Sequence, residues 1–239
     1  MGDARTLLAH LAEAPERSAV LLDVDGTLAP IVARPELAAV PEETRAELHR
    51  LAGRYALVAC VSGRPGEEAA RLVGVDGIRY VGVHGLELAP EAEAWREPLR
   101  EFAELDWPWR REDKGLTVTF HYREAGDEAA AREELKRVAV RAEAAGLRAH
   151  WGRKVLELRP PIEADKGTAV RELLQERSLS RALYAGDDTT DLDAFRGLEG
   201  LQLGIRVAVA SEEGPAELRE AADLIVDSPQ ALLSVLRAL

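Results

Sequence analysis

Short, continuously apolar stretches alternate with amphipathic helical patterns along most of the chain. The helical patterns, such as PEETRAELHRLAGR and KGTAVRELLQERS, bring an apolar residue to one face at each turn. Apolar stretches without polar alternation, separated by such helices, predict a parallel sheet covered on both faces, which is the arrangement of an α/β fold. The six predicted strands are Ala19–Val24, Ala56–Val61, Ile78–Val83, Ala182–Ala185, Gly204–Ala208 and Leu224–Val226.

The pattern changes in the middle of the chain. A strand that alternates polar and apolar residues, a long helix and a hairpin around Gly152 are expected at residues 115–123, 126–146 and 147–160. These elements predict a small α+β module with an antiparallel sheet at residues 98–163. The module is inserted into an α/β core made of residues 1–97 and 164–239. The stretch DWPWRREDKG (106–115) is expected to be a surface connection into the module.

Composition narrows the possible partners. The 239 residues carry a net charge of −12, which argues against nucleic acid because phosphate backbones require clustered basic residues. The single cysteine, Cys60, excludes a disulfide framework and a cysteine-rich zinc site. No apolar run reaches the length of a membrane span, and the N-terminus lacks the pattern of a signal peptide. We therefore expect a cytoplasmic monomer that binds neither membranes nor nucleic acid.

Two aspartates, Asp23 and Asp25, end the first predicted strand within LLDVDGTLAP. A carboxylate can attack phosphorus to form an acyl-phosphate, and a second acid can protonate the leaving oxygen and later activate water. Gly26 permits a sharp turn, and Thr27 can help to position the second acid. A cation must offset the repulsion between carboxylate and phosphate, and Mg²⁺ prefers such oxygen ligands. A simple turn at the strand end is the alternative, while neither an EF-hand frame nor a Walker-type motif is present.

Three further stretches supply groups that this reaction needs. In VSGR, the Ser62 hydroxyl and the Gly63 N–H can bind a phosphoryl oxygen. In EADKG, Lys166 can neutralise negative charge, and YAGDDTTDLDAF (184–195) contributes four aspartates that a divalent ion would stabilise. Each stretch alone is also typical of an ordinary turn or helix start. Because they accompany predicted strand ends, where parallel sheets bind ligands, we interpret them as one site.

These motifs, in this order, resemble those of the haloacid dehalogenase superfamily of phosphatases. The resemblance implies a Rossmann-like core with an inserted type 2 cap. It also implies that Asp23 is the nucleophile and Asp25 the acid/base, while Ser62 binds phosphate and Lys166 neutralises charge. The implied ligands of Mg²⁺ are Asp23, Asp187 and the backbone carbonyl of Asp25, with Asp188 in the inner or the water shell and Asp191 in a supporting position.

A finer resemblance is to the trehalose-6-phosphate phosphatase family. It is carried by VGVHGLEL, GLTVTFHYR, KVLELRP and GDDTTDLDAF and extends from about residue 18 onward. The sequence departs from that pattern at Leu192–Asp193, where the family often has an acidic residue directly after the position of Asp191. The family implies Mg²⁺-dependent release of trehalose from trehalose 6-phosphate. The candidate substrate-binding residues are Thr27, Gly63, Arg64, His84, Arg123, Lys154 and Glu157.

The sequence does not decide which residues of the inserted module contact the sugar. Strand alternation sends Lys154 and Glu157 to opposite faces unless a strand end or bulge intervenes, and an exposed ion pair is the alternative role for both. Glu87 is expected near the boundary between core and module. His121 is expected to have a local partner, and Trp109 and Trp151 are the candidates for sugar stacking, although packing is the commoner role for tryptophan.

Other functions fit the same core motifs. The alternatives are a phosphatase of sucrose phosphate or mannosylglycerate phosphate, a phosphosugar mutase, and a non-catalytic sugar-phosphate sensor. A sensor would be expected to lose one of the motif carboxylates, and this sequence retains them all.

Overall fold

The chain folds into two compact units, here called the core unit and the inserted unit. The core unit consists of Met1–Gly85 and Ala164–Leu239, and the inserted unit is Leu86–Glu163. The structure, a computed structural model, describes residues 2–32, 37–152, 154–210 and 214–239. Residues 2–4 are described by their backbone alone. Each unit has its own sheet and its own apolar core.

The elements follow in chain order. The strands are β1 (Ser18–Leu22), β2 (Leu57–Val61), β3 (Arg79–Val81), β4 (Arg111–Asp113), β5 (Val118–His121), β6 (Arg148–Gly152), β7 (Val155–Arg159), β8 (Arg181–Gly186), β9 (Leu203–Val209) and β10 (Leu224–Val226). The helices are α1 (Gly2–Ala12), α2 (Glu42–Ala52), α3 (Gly66–Val73), α4 (Arg96–Ala103), α5 (Glu128–Ala144), α6 (Lys166–Glu176), α7 (Asp191–Gly197), α8 (Ala216–Ala221) and α9 (Pro229–Arg237). Among the described residues, no helix is both long and apolar enough to cross a membrane.

The core-unit sheet is parallel and has the order β10-β9-β8-β1-β2-β3 among the described strands. The chain continues outward from β1 to β2 and β3 on one side, and from β8 to β9 and β10 on the other. The carboxyl ends of β1 and β8 are therefore a topological switch point, where open α/β sheets bind their ligands. Leu22 is in register with Cys60 on β2 and Ala185 on β8, so the three central strands end level with one another.

Apolar side chains cover the strands of the core unit as the sequence pattern predicts. β1 and β2 are buried along their whole length. Val20 and Leu22 pack with Leu48 of α2 and Leu236 of α9 in one apolar cluster. Continuous burial explains why these strands show no polar alternation, because residues on both faces are removed from water.

The inserted unit is an antiparallel sheet packed against helices. Its order is β4-β5-β7-β6, and β6 and β7 form the predicted hairpin. Phe120, Leu156 and Leu158 are fully buried in the unit's apolar cluster, to which α5 contributes Leu135. The alternating residues of β7 are only half-buried, which leaves the opposite face of the sheet polar.

The observed elements confirm the predicted α/β fold class and refine its details. All six predicted core strands are present, and their ends shift by at most two residues. The inserted unit begins at Leu86, whereas the sequence pattern predicts a start at residue 98. α4 and the residues before it pack with the inserted sheet, and Leu99 and Phe102 belong to its apolar cluster. The unit's other end is Glu163.

The prediction of a surface connection at residues 106–115 is wrong. This stretch contains β4, which pairs with β5, and Trp107, which is buried in the apolar cluster of the inserted unit. The short edge strand carries the charged sequence Arg-Glu-Asp, so the sequence gives no apolar period from which a strand could be predicted.

Leu158→Ala should lower the free energy of unfolding of the protein by about 2–5 kcal/mol, because it removes a fully buried side chain and leaves a cavity. Urea unfolding followed by circular dichroism measures this. The matched control is Val140→Ala on α5, whose side chain is largely exposed and whose loss should change stability by no more than about 0.5 kcal/mol. Equal effects of the two substitutions would contradict the packing described for the inserted unit.

Candidate active site

A buried lysine lies between two aspartates at the carboxyl edge of the core-unit sheet. Lys166 is the first residue of α6, and its Nζ lies 2.7 Å from Asp23 Oδ1 and 2.7 Å from Asp191 Oδ1. Asp23 directly follows β1, and its N–H donates to the carbonyl of Ala185 at 2.9 Å, which continues the pairing with β8. Lys166 is 3% exposed and Asp23 4%, so solvent screens these charges little.

The charges of Lys166 and Asp23 influence each other's pKa. Burial alone would lower the pKa of Lys166, but the two adjacent carboxylates hold it above its ordinary value. Burial raises the pKa of Asp23; Lys166 opposes that shift, and Asp191 adds to it. Lys166 is therefore an ammonium at neutral pH, located where it can neutralise negative charge beside Asp23.

Asp191, the first residue of α7, is the most heavily hydrogen-bonded carboxylate of the site. Its Oδ1 accepts from Lys166 and from the Tyr184 hydroxyl, each at 2.7 Å. Its Oδ2 accepts from the N–H groups of Asp187 and Asp188, each at 2.9 Å. A carboxylate has about four lone-pair positions, and all are used here. Asp191 therefore positions its neighbours and has no oxygen left for a substrate or a metal ion.

Asp187 approaches the loop after β1 very closely. Its Oδ1 accepts a hydrogen bond from the Thr27 hydroxyl at 3.1 Å. Glycine is required beside this contact, because a Cβ on Gly26 would lie 2.0 Å from Asp187 Oδ2 and the φ of Gly26 is +82°. Thr27, a predicted substrate-binding residue and a candidate for positioning Asp25, is fully buried, and its hydroxyl donates to Asp187.

The acidic side chains form a cluster that could hold a metal ion. Among the described residues, Asp23, Asp187 and Asp191 each offer an oxygen within 4.8 Å of the others. Burial, and then the charge of Asp191, raises the pKa of Asp187 to about 6. The three carboxylates of the cluster also outnumber the single ammonium of Lys166 that pairs with them. An excess of buried negative charge with oxygen donors alone fits a hard divalent cation.

The cluster differs from the predicted metal ligands. Because the oxygens of Asp191 are fully used, Asp23 and Asp187 are the side chains of the cluster best able to hold a cation. Asp188, a predicted ligand, is exposed, and its Oδ1 accepts from the N–H of Thr189 at 2.7 Å. Asp188 lies outside the cluster in this arrangement.

The side chain of Asp25, the predicted acid/base, is held by an arginine. Arg64 Nε lies 2.6 Å from Asp25 Oδ2, and Arg64 Nη2 lies 2.6 Å from Asp25 Oδ1, a two-pronged ion pair. The N–H of Arg64 also donates to Ser62 Oγ at 3.1 Å. Ser62 is buried directly after β2. The loop predicted to bind phosphate is thus linked to the predicted acid/base.

His84 packs against the same loop. A Cβ on Gly63 would lie 2.7 Å from His84 Nε2, so the loop and the imidazole can be this close only with glycine at that position. The N–H of His84 donates to the Ser62 carbonyl at 2.9 Å. Val83 and His84 have φ values of 49° and 54°, and the left-handed region is costly for a β-branched residue. Such strain is common at functional sites and favours a functional role for His84.

The remaining predicted substrate residues lie in the inserted unit. Lys154 precedes β7 with a φ of 63°, so strand alternation does not govern its side chain. It forms an ion pair with Glu128 rather than with Glu157. Glu157 lies on the polar face of the sheet, in register with Thr119 of β5 and His150 of β6. Its Oε2 is 4.0 Å from Arg159 Nε.

Arg123 and the candidate stacking residues are also in this unit. Arg123 is exposed in the turn after β5. The Nε2 of His121 lies 3.3 Å from Glu112 Oε1, but it makes no hydrogen bond in this geometry. Trp109 packs edge-on against Trp107, with ring centroids 4.8 Å apart, and the guanidinium of Arg132 covers the ring of Trp151 at 5.3 Å. Both tryptophans border the apolar cluster of the unit, as expected for packing residues.

Tyr184 is a site residue that is not among those predicted from the sequence. It lies in β8, is fully buried and donates to Asp191. A signal was present in the sequence. Tyr184 lies between Leu183 and Ala185 in a strand of small and apolar residues, so its side chain is expected to be buried. A buried tyrosine hydroxyl requires a hydrogen-bond partner. The acidic run that follows β8 was the available partner.

A family model and curated relatives that resemble this chain indicate the same family. A model of the family described as trehalose-phosphatase matches residues 21–111 and 110–230. A trehalose-phosphate phosphatase of Mycobacterium marinum is 36% identical over 240 residues, covering 85% of this chain. The chain spans 60% of the length of that protein and 18% of the length of another curated relative.

Solved structures share the fold. The crystal structure of a trehalose-6-phosphate phosphatase related protein matches with a TM-score of 0.66 and 26% identity, over 92% of this chain and 95% of that one. A haloacid dehalogenase-like hydrolase from Bacteroides thetaiotaomicron matches with a TM-score of 0.60 and 15% identity, over 92% of this chain and 98% of its own. The chain has a haloacid dehalogenase-like fold and belongs to the trehalose-phosphatase family.

Proposed function

We propose that the chain hydrolyses trehalose 6-phosphate to trehalose and phosphate through an aspartyl-phosphate intermediate. The observation that carries this proposal is the buried contact of Lys166 with Asp23 at the switch point of the sheet, in a chain of the trehalose-phosphatase family. A buried carboxylate held beside a fixed ammonium is suited to attack an anionic phosphoryl group, because the ammonium offsets the repulsion between the two anions.

In the first half-reaction, an oxygen of Asp23 attacks phosphorus and the bond from phosphorus to the sugar oxygen breaks. Asp25 donates its proton to that oxygen, and trehalose leaves as a neutral alcohol. The Ser62 hydroxyl accepts from the N–H of Arg64, so its own proton is available for a phosphoryl oxygen. The N–H of Gly63 and the imidazole of His84 are further groups beside that loop that can contact the phosphoryl group.

In the second half-reaction, water attacks the phosphorus of the aspartyl-phosphate. Asp25 removes a proton from the water, and the bond from phosphorus to the Asp23 oxygen breaks to regenerate the carboxylate. The ion pair of Asp25 with Arg64 must open before Asp25 can exchange protons, since both of its oxygens are engaged. A phosphoryl dianion offers Arg64 an alternative two-pronged partner, so substrate binding itself can release Asp25.

A divalent cation completes the proposed site, and Mg²⁺ is the ion that the donor set fits best. Asp23, Asp187 and the carbonyl of Asp25 are the groups proposed to hold it, with Asp188 a further candidate at the rim. When bound, Mg²⁺ neutralises the charge that develops on the phosphoryl oxygens. Thr27 and Asp191 do not take part directly, because each is engaged in orienting Asp187.

We propose that residues of the inserted unit recognise the sugar. Glu157 is the acceptor on its polar sheet face, where charged and polar neighbours can share sugar hydroxyls. Lys154 and Arg123 are proposed as donors, and the pair of Lys154 with Glu128 is half-exposed and therefore weak enough to be exchanged.

Asp23→Asn should reduce kcat by at least about 1,000-fold, because an amide cannot act as the nucleophile. Phosphate release from trehalose 6-phosphate with Mg²⁺ present measures this, and thermal melts check that the variant is folded. Asp76→Asn, an exposed aspartate of the core unit, is the matched control and should retain wild-type turnover. A folded Asp23→Asn variant with near-normal kcat would remove Asp23 as the nucleophile.

Chelation with EDTA should abolish phosphate release, and added Mg²⁺ should restore it. Asp187→Asn should raise the Mg²⁺ concentration needed for half-maximal rate by about 10-fold or more, since a ligand charge is lost. The matched control is Asp193→Asn, whose side chain pairs with Arg196. Titration calorimetry with Mg²⁺ gives the same comparison without turnover. Unchanged Mg²⁺ affinity in Asp187→Asn would show that Asp187 is not a ligand.

Glu157→Gln should lower kcat/KM for trehalose 6-phosphate by about 10- to 100-fold, the effect of losing charge-assisted hydrogen bonds. It should leave hydrolysis of p-nitrophenyl phosphate, which has no sugar, within about twofold of wild type. Glu143→Gln, at an exposed position of α5, is the control. The wild-type protein is assayed in parallel with sucrose phosphate and mannosylglycerate phosphate. A preference for either of these would overturn the proposed substrate while leaving the phosphatase chemistry intact.

A further inference from the structure

Tyr184 is a fully buried side chain that the mechanism above does not use. Its hydroxyl donates to Asp191 Oδ1 at 2.7 Å. Phe195 of α7 packs edge-on against its ring, with centroids 6.2 Å apart and an interplanar angle of 83°. Burial, and then the charge of Asp191, raises the pKa of Tyr184 well above its ordinary value. The hydroxyl therefore keeps its proton and acts as a donor.

The bond from Tyr184 ends on the oxygen that also holds Lys166. Asp191 Oδ1 accepts from both groups at 2.7 Å, so the tyrosine occupies one of the two lone-pair positions of that oxygen. Lys166 is left with one defined direction of approach to Asp191 and donates a second proton to Asp23. Two fixed acceptors define where the ammonium lies.

The carboxylate of Asp191 cannot easily move to another position. A Cβ on Gly186 would lie 2.2 Å from Asp191 Cγ, so backbone closes one side of the carboxylate. A Cβ on Gly167, next to Lys166, would lie 2.2 Å from the carbonyl oxygen of Asp193. α6 and α7 are thus in close contact, and their backbones have little room to shift. A lost hydrogen bond to Asp191 is therefore answered by a change in its other hydrogen bonds.

We propose that Tyr184 is a positioning residue for phosphoryl transfer, whose hydroxyl fixes Asp191 so that the Lys166 ammonium is directed at the nucleophile Asp23. The reaction in question is that of the proposed function, on which this inference rests. Without the hydroxyl, Asp191 Oδ1 has a spare acceptor position and draws Lys166 away from Asp23. The nucleophile then faces the phosphoryl group with less of its charge neutralised.

The first experiment compares two tyrosine-to-phenylalanine substitutions. Tyr184→Phe removes the hydroxyl and keeps the ring. Tyr55→Phe is the matched control, because the Tyr55 hydroxyl is also buried in the core unit but donates to the Leu239 carbonyl, outside the site. Both variants should melt a few degrees below wild type, by about 2–4 °C for the loss of one hydrogen bond in a chain of this size.

Kinetics then separate positioning from stability. With trehalose 6-phosphate and with p-nitrophenyl phosphate, Tyr184→Phe should reduce kcat by about 10- to 100-fold and change KM by less than about threefold. Tyr55→Phe should retain kcat within about twofold. In the Asp191→Asn background, Tyr184→Phe should cause little further loss, because its effect passes through Asp191. Equal kcat values for Tyr184→Phe and Tyr55→Phe would overturn the proposal, as would full additivity with Asp191→Asn.

The second experiment reads the lysine directly. The chain has only four lysines, and Lys166 is the buried one, so its side-chain ammonium should give a resolved signal in a ¹⁵N-lysine NMR spectrum of the whole protein. Tyr184→Phe should shift or broaden that signal, and Tyr55→Phe should leave it unchanged. An unaffected Lys166 signal in Tyr184→Phe would refute the positioning role. If wild-type protein released no phosphate from any substrate, the proposed function would fail, and this spectrum would still decide the role of Tyr184.

Discussion

The site depends on one buried ammonium shared by two carboxylates. Lys166, Asp23 and Asp191 are almost entirely removed from water, and each would be costly to bury alone. The cost of separating such ions is on the order of several kcal/mol, because each would be left uncompensated in a low-dielectric environment. The three elements that carry them, the end of β1 and the starts of α6 and α7, are therefore fixed relative to one another.

Close approach of backbone is the second constraint, and it explains the glycines of the motifs. Gly26 and Gly186 lie where any side chain would overlap the carboxylates of Asp187 and Asp191. The acidic residues can converge only because their neighbours have no Cβ. The crowding in turn buries Asp187 and places it beside Asp191, and burial first and that charge second raise its pKa. The geometry that assembles the acids thus also creates the demand for a cation.

Much of this arrangement could be predicted from sequence, because it depends on local patterns. Continuous apolar strands predict the parallel sheet, and the parallel sheet brings strand ends to one edge, which unites Asp23 with Asp187. What could not be predicted depends on side-chain partners chosen in three dimensions. Arg64 pairs with Asp25, and Tyr184 pairs with Asp191. Neither pairing follows from a helical or strand repeat in the sequence. The same holds in the inserted unit, where Lys154 adopts a left-handed backbone and pairs with Glu128 instead of following the strand.

Chain order has a bearing on how the molecule is made. β1 lies between β2 and β8, but β8 is synthesised only after the whole inserted unit has been synthesised. Asp23 lacks its lysine until α6 has been made, and Thr27 lacks the carboxylate that lies 160 positions further along the chain until β8 has been completed. Contacts of such long sequence separation form late and slowly, since a large loop must close first. The nascent first half therefore leaves one edge of β1 unpaired, with an unbalanced acid at the end of the strand. The inserted unit, whose contacts are local, can fold ahead of the core that surrounds it in sequence.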